Sequence, residues 1–186
     1  MKRVLDISLS SILLAVLGLP LLFIALLVKL TSEGPALYWS DRVGLGNKVF
    51  KMPKFRTMRF DTPPMATHLM TEPKRFLTPV GGFLRKTSLD ELPQLLSILS
   101  GNMSFVGPRP ALFNQEDLIA LRTTNGIQRI IPGLTGWAQV NGRDDLAIPV
   151  KVEYDKYYLT HQSFSLDFKI LLMTAYQALA GKGVKH

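Results

Sequence analysis

The sequence has no cysteine, so disulfides, thiolate nucleophiles and cysteine-ligated zinc are excluded, and the chain suits a reducing compartment. Histidine is almost as scarce. His68, His161 and His186 stand far apart and form no metal-binding motif. Acidic residues are outnumbered 14 to 22 by Lys and Arg, for a net charge of +8. That balance favours an anionic partner such as nucleic acid, a phospholipid surface or a nucleotide. The basic residues are scattered among apolar and turn residues instead of lining one helix or an aromatic-studded sheet, which argues against nucleic acid. Internal repeats and low-complexity tracts are also missing, and 186 residues suit one domain with a core of its own.

Apolar sequence, by contrast, is plentiful at the N-terminus, and mean hydropathy is positive at +0.17 despite the charge. Residues 4–30, VLDISLSSILLAVLGLPLLFIALLVKL, are long enough to cross ~30 Å of hydrocarbon as a helix. Cations lie on both sides: Lys2 and Arg3 before the run, then Lys29, Arg42, Lys48, Lys51, Lys54 and Arg56. The positive-inside bias therefore places both ends on the cytoplasmic side. Pro20 removes a helical hydrogen bond inside the run, and Gly18 adds pliability. Residues 1–32 are accordingly expected to enter the membrane, bend near Pro20 and return to the same face. A kinked single span is the main competing reading. A cleaved signal peptide fits poorly, because the run is too long and no A-x-A-like site follows Leu30.

The remainder, residues 33–186, reads as an α+β domain dominated by helices. Residues 36–43 and 48–58 are β-rich around Gly44-Leu45-Gly46-Asn47, which predicts a hairpin. Residues 61–78 are polar and carry Pro63, Pro64 and Pro73, as a lid or connecting loop would. Leu92, Leu95, Leu96 and Leu99 recur at helical spacing and stop at Gly101. Further helical patterns cover 113–124, 150–158 and 166–179, and short extended pieces are expected around 137–140. The 166–179 segment is apolar on more than one face, suited to the core or to the bilayer interface.

The stretch KTSLDELPQLLSILSGNMSFVGPRP poses a choice. Ser88-Leu89-Asp90-Glu91 matches a capping box, with Glu91 reaching back to Ser88. Pro93 fits that register badly and fits Asp90 as cap better, so the register stays open. Chemistry is the alternative. Arg85 and Lys86 precede the pair, while Gly107-Pro108-Arg109-Pro110 and Asn141-Gly142-Arg143 each present an arginine on a shaped turn. Arginines so placed grip phosphates bidentately. Carboxylates among them point to Mg²⁺-assisted phosphate chemistry, as metal ligands or as a nucleophile.

The blocks KFRTM, RKTSLDELPQLLSILSGNMSFVGPRP, PGLTGWAQVNGR and EYDKYYLTHQSFSLDFKIL, in this order, resemble the signatures of the bacterial sugar transferase family, the monotopic phosphoglycosyl transferases. The likeness is to the small catalytic form. The family's Ser-Pro helix break is replaced here by Leu19-Pro20. The resemblance implies transfer of a phosphosugar from a UDP-sugar to undecaprenyl phosphate at the cytoplasmic face of the bacterial inner membrane. This is the first membrane step of glycoconjugate assembly, with phospholipids and downstream glycosyltransferases as partners and interfacial amphipathic helices on the domain. It implies Asp90 as nucleophile, Glu91 as a Mg²⁺ ligand with Asp90 beside it, and UMP as by-product. Arg85, Arg109 and Arg143 are the implied phosphate contacts, followed by Lys54 and Arg56, with Pro108 and Gln139 as further substrate residues. Asp155 and Asp167 lie in family-like blocks and either brace arginines or cap helices. A non-catalytic basic membrane-surface module is the competing class, in which Asp90 and Glu91 only cap a helix. A glycosyltransferase that moves sugar without its phosphate is the enzymatic rival, and it releases UDP.

Overall fold

The computed structural model describes residues 1–62, 73–142 and 146–179. Most of the proline-rich loop and Arg143 fall outside the described residues. The apolar N-terminal run forms helix α1, Lys2–Thr31, which continues through Gly18 and Pro20. By length and composition it could cross a membrane. It is also packed along one face. Asp6, Ser10, Ile24 and Val28 are buried, and Leu13, Leu17 and Leu21 pack between them, at the three- and four-residue steps of a helical stripe. Residues such as Ile12, Val16, Leu19, Phe23 and Leu26 on other faces are exposed.

Both ends of α1 are tied to the rest of the chain. At its start, Lys2 Nζ pairs with Asp167 Oδ2 at 2.5 Å, and the Arg3 guanidinium donates to the carbonyls of Ile98 and Leu99 at 2.5 and 2.7 Å. The buried Asp6 carboxyl group accepts from Ser104 Oγ and Phe105 N, both at 3.1 Å, so a polar side chain inside an apolar helix is satisfied. At its end, Arg56 donates to the Ser32 carbonyl at 2.8 Å and to that of Glu33.

The expected hairpin is present. Strand β1, Leu37–Val43, pairs antiparallel with β2, Val49–Phe55, from Leu37↔Phe55 to Val43↔Val49. Its turn uses the left-handed conformation at Gly46 (φ 62°) and Asn47 (φ 61°), the residue types that tolerate it. Helix α2, Gly81–Lys86, and a 3₁₀ turn at Leu89–Gln94 lead into α3, Leu95–Ser100. Gly101 then stops α3 at φ 91°, as its position suggests.

Strand β3, Ser104–Val106, precedes α4, Glu116–Thr124; β4, Gly133–Thr135, precedes the single turn α5, Trp137–Val140. The extension expected at 137–140 therefore lies one step earlier, in β4, which pairs parallel to β3. Gly136 is fully extended and the chain turns helical directly after it. Glycines make the close approach possible: a Cβ on Gly107, Gly133 or Gly136 would strike facing backbone. Helices α6, Ile148–Thr160, and α7, Phe164–Leu179, complete the order. Helix α7 packs one side into the core and leaves apolar side chains on another. Ile170 is fully buried, whereas Phe168, Leu172 and Tyr176 face outward.

Among the described residues apolar burial gathers in three clusters. Met52, Leu95, Ile98, Phe105 and Ile170 form the centre, with Leu13, Leu14 and Leu17 of α1 laid against it. Ile24, Val28, Phe55 and Leu84 form the second, between α1, β2 and α2. The third, Ala111, Leu118, Ile127 and Val152, joins α4 to α6 behind the Gly-Pro-Arg-Pro turn.

Candidate active site

The site forms where the 3₁₀ turn Leu89–Gln94 packs on β2. Ser88 enters that turn in the left-handed conformation (φ 57°), uncommon for a residue with a Cβ. Its side chain makes no cap hydrogen bond; its backbone N–H donates to Arg85 O at 3.1 Å and its carbonyl accepts Glu91 N at 3.2 Å. The capping box is not formed, and Asp90 lies inside the turn instead of capping it. Pro93 fits because a short 3₁₀ turn has few internal bonds for it to remove. Asp90, Pro93 and Gln94 are buried by this turn.

The two carboxylates have different surroundings. Glu91 Oε1 accepts Lys54 Nζ at 2.8 Å and Arg109 Nη2 at 2.7 Å, and Arg109 Nη1 reaches Oε2 at 3.4 Å. Burial alone would raise the Glu91 carboxyl, but Arg109 and Lys54 outweigh it and hold the group well below the ordinary carboxylate range. The Asp90 side chain, 8% exposed, accepts no hydrogen bond and forms no ion pair among the described residues. Burial lifts its carboxyl above the ordinary value and Glu91 adds repulsion, with Lys54, Arg85 and Arg109 pulling the other way through space. Burial also pushes the Lys54 ammonium down, against the attraction of Glu91.

Arg85, in the last turn of α2, donates from Nε to Thr57 Oγ1 at 3.0 Å and from Nη2 to Met58 Sδ at 3.4 Å. Burial lowers its basicity, while Asp90 and Glu91 sustain it. Three cations from three elements thus surround two adjacent carboxylates. Such a cluster can neutralise a diphosphate beside one uncommitted oxygen nucleophile.

Lys54, Arg85, Asp90, Glu91 and Arg109 are brought together; other sequence candidates are not. Arg56, 6% exposed, is engaged with Ser32 and Glu33 at the exit of α1. Pro108 shapes the turn, and its carbonyl accepts Gly133 N at 2.9 Å. Gln139 is buried beside Gly136, and neither polar atom of its amide has a hydrogen-bond partner among the described residues. Pro20 lies within α1, and Arg143 falls outside the described residues. Of the two family-block acids, Asp155 pairs with buried Arg122 at 2.6 Å, and Asp167 takes Lys2 and the Tyr158 hydroxyl. Thr57, Met58 and Arg122 were not candidates from the sequence. Thr57 and Met58 lie inside the KFRTM block, but their orientation toward Arg85 depends on a contact 27 to 28 residues away.

The bacterial sugar transferase family profile matches residues 1–181. The uncharacterized sugar transferase EpsL of Bacillus subtilis is 38% identical over all of this chain and 91% of its own length. The UDP-glucose:undecaprenyl-phosphate glucose-1-phosphate transferase of Escherichia coli is 38% identical over 98% of this chain, which spans only 41% of that protein. The like-named transferase of Caulobacter vibrioides is 41% identical, over 93% of this chain and 67% of its own length. With the match running almost from end to end, the chain belongs to the bacterial sugar transferase family.

Proposed function

We propose that this chain transfers a sugar 1-phosphate from a UDP-sugar to undecaprenyl phosphate through a covalent intermediate on Asp90. The observation that carries the proposal is the contrast within the pair: Glu91 is engaged by Lys54 and Arg109, whereas Asp90 is buried near cations and its oxygens accept no hydrogen bond among the described residues. The names of relatives supply the substrate classes, a UDP-sugar and undecaprenyl phosphate.

An Asp90 oxygen attacks the β-phosphorus, and the bond from that phosphorus to the bridging oxygen breaks. UMP leaves with the bridging oxygen, and the phosphosugar remains as an acyl phosphate. An oxygen of the lipid phosphate then attacks the same phosphorus, releasing the Asp90 carboxylate and forming the lipid diphosphosugar. Dividing the transfer this way is the general advantage of a covalent nucleophile. Arg109, Lys54 and Arg85 bind and orient the diphosphate oxygens and balance their charge.

Mg²⁺ fits this donor set. Among the described residues no cluster of three or more acids or histidines exists, so a hard cation here would draw on Asp90 and Glu91 and complete its shell with water and substrate oxygens. When bound, it neutralises diphosphate charge and stabilises the departing UMP. Glu91 would share its oxygens with Lys54 and Arg109; Asp90 has oxygens to spare.

The topology belongs to the same proposal: α1 dips into the cytoplasmic leaflet and returns, bending near Pro20, so the domain stays beside its lipid substrate. Support comes from its two ends, Lys2 to Asp6 and Val28 to Ser32, which are held by one body. Because the chain lacks cysteine, Lys2→Cys and Leu45→Cys report directly. Both are expected to resist a membrane-impermeant thiol reagent in intact cells and to react once the membrane is opened. Labelling of the Lys2→Cys protein alone in intact cells would establish a single span.

The reaction is tested by UMP release across a panel of UDP-sugars with undecaprenyl phosphate and Mg²⁺. With labelled UDP-sugar and no lipid acceptor, label is expected on the protein, removable by hydroxylamine. Release of UDP would identify a glycosyltransferase. No release with any donor, together with binding to anionic vesicles, would favour the non-catalytic membrane module.

A further inference from the structure

The turn that carries Arg109 is held by its carbonyls, each with its own donor. Pro108 O accepts Gly133 N at 2.9 Å, Pro110 O accepts Arg42 Nη1 at 3.2 Å, and Ala111 O accepts Val43 N at 2.9 Å. The Arg109 carbonyl accepts Arg122 Nη1 at 2.7 Å. Pro108 and Pro110 have fixed φ and no N–H, so the groups on these carbonyls set how the segment is aimed. For the residue that matters most, that group is a buried guanidinium.

Arg122 comes from α4 and is 8% exposed; its partner Asp155 comes from α6 and is 1% exposed. Arg122 Nε and Nη2 both donate to Asp155 Oδ2, at 3.0 and 2.6 Å. Stability is a poor reason for such a pair, since well-packed apolar residues of similar volume usually serve as well. Helices α4 and α6 already share the apolar cluster of Leu118, Ile127 and Val152. Direction is a better reason. A guanidinium is a rigid planar fork, and with one edge fixed on Asp155 its remaining Nη1 has a defined aim, here the Arg109 carbonyl.

We infer that Arg122 and Asp155 are positioning residues of the transfer site: Asp155 orients Arg122, Arg122 holds the Arg109 backbone, and Arg109 thereby presents its guanidinium to Glu91 and to the diphosphate. Neither residue touches the reacting atoms. The kinetic part of this inference rests on the transfer reading; the structural part does not.

Asp155→Asn and Arg122→Lys are compared with Val152→Ala, which weakens the same α6 packing without touching the fork. The two fork variants are expected to lose about 10- to 100-fold in kcat/KM for the UDP-sugar, the scale of a misplaced catalytic group. Val152→Ala keeps wild-type kcat/KM even where its melting temperature falls as far. If the effect passes through Arg109, Asp155→Asn combined with Arg109→Lys is slower than Arg109→Lys alone by less than about 2-fold, the limit within which uncoupled effects are otherwise seen to add. Full multiplication of the two losses would overturn the inference. Amide hydrogen exchange supplies a readout without turnover: Gly107, Leu112 and Phe113, which flank the held carbonyl, exchange faster in the fork variants but not in Val152→Ala. Arg122→Lys supplies both readings if Asp155→Asn does not fold. A wild-type protein that releases no UMP would refute the transfer reading and leave the exchange result to judge the fork. Wild-type exchange in the fork variants overturns it, whatever the turnover.

Discussion

Asp90→Asn is expected to slow UMP release by at least about 10⁴-fold, the scale on which removal of a covalent nucleophile acts, without lowering the melting temperature. The amide has almost the same shape but cannot form an acyl phosphate. No hydrogen bond is lost, because the carboxylate accepts none among the described residues. Linkage gives the sign for stability. Burial raises the folded-state carboxyl above its ordinary 3.8, so the stability linked to it is fully present below the unfolded value and is lost as pH rises through the folded one. At neutral pH the ionised group is therefore a liability, which a neutral amide removes. The same shift predicts that kcat/KM in the wild type falls in acid around a value above 3.8, as Asp90 takes up its proton. A variant that merely lost a helix cap would behave otherwise, since Asn caps about as well as Asp and turnover would persist. Wild-type turnover by Asp90→Asn, in preparations free of native enzyme, would refute the nucleophile assignment.

Local and repetitive patterns were readable in advance. The apolar run became α1, the Gly-Asn turn became the β1–β2 hairpin, and α3, α4, α6 and α7 lie where apolar spacing placed them, stopping at Gly101 in the case of α3. Features that depend on distant partners were not. Strands β3 and β4 are three residues each, too short for alternation to register, and they exist because Gly107, Gly133 and Gly136 let two backbones meet. Ser88 has the composition of a cap, yet adopts a left-handed turn. Composition alone could not separate Lys54 from Arg56, two residues apart in one block: the first reaches Glu91, the second closes on the exit of α1. Asp90, Glu91 and Arg109 were singled out by charge pattern and family resemblance, but the division of labour within the acid pair needed the geometry. Arg122 and Asp155, 33 residues apart, carry no local signal of their pairing.

Glu91→Gln is expected to fail differently from its neighbour, losing turnover and stability together. Glu91 is the counter-charge for two cations at 2.7 and 2.8 Å, with side-chain exposures of 33% for Arg109 and 16% for Lys54. An amide can accept one of their hydrogen bonds but cannot offset the charge, so the cations repel across a poorly hydrated site. Breaking a fully buried pair costs roughly 3–5 kcal/mol; this site is partly open, and about 2 kcal/mol is expected. Turnover is expected to fall about 10²-fold or more, because Arg109 and Lys54 lose the anchor that aims them at phosphate. The folded-state Glu91 carboxyl lies well below its ordinary 4.5, so its stabilisation is present above that value and is lost as pH falls through the folded one. Denaturant unfolding should therefore show the full gap between wild type and Glu91→Gln at neutral pH, narrowing in acid. Adding Lys54→Met to Glu91→Gln removes one of the two cations that lose Glu91, and with it their mutual repulsion, and is expected to restore part of the stability but not turnover. Equal stability of Glu91→Gln and wild type at neutral pH would show that the ion pairs do not hold the site. If Glu91 also shares Mg²⁺, excess Mg²⁺ recovers part of the lost turnover while leaving the stability gap in place; a loss indifferent to Mg²⁺ would confine Glu91 to holding Lys54 and Arg109.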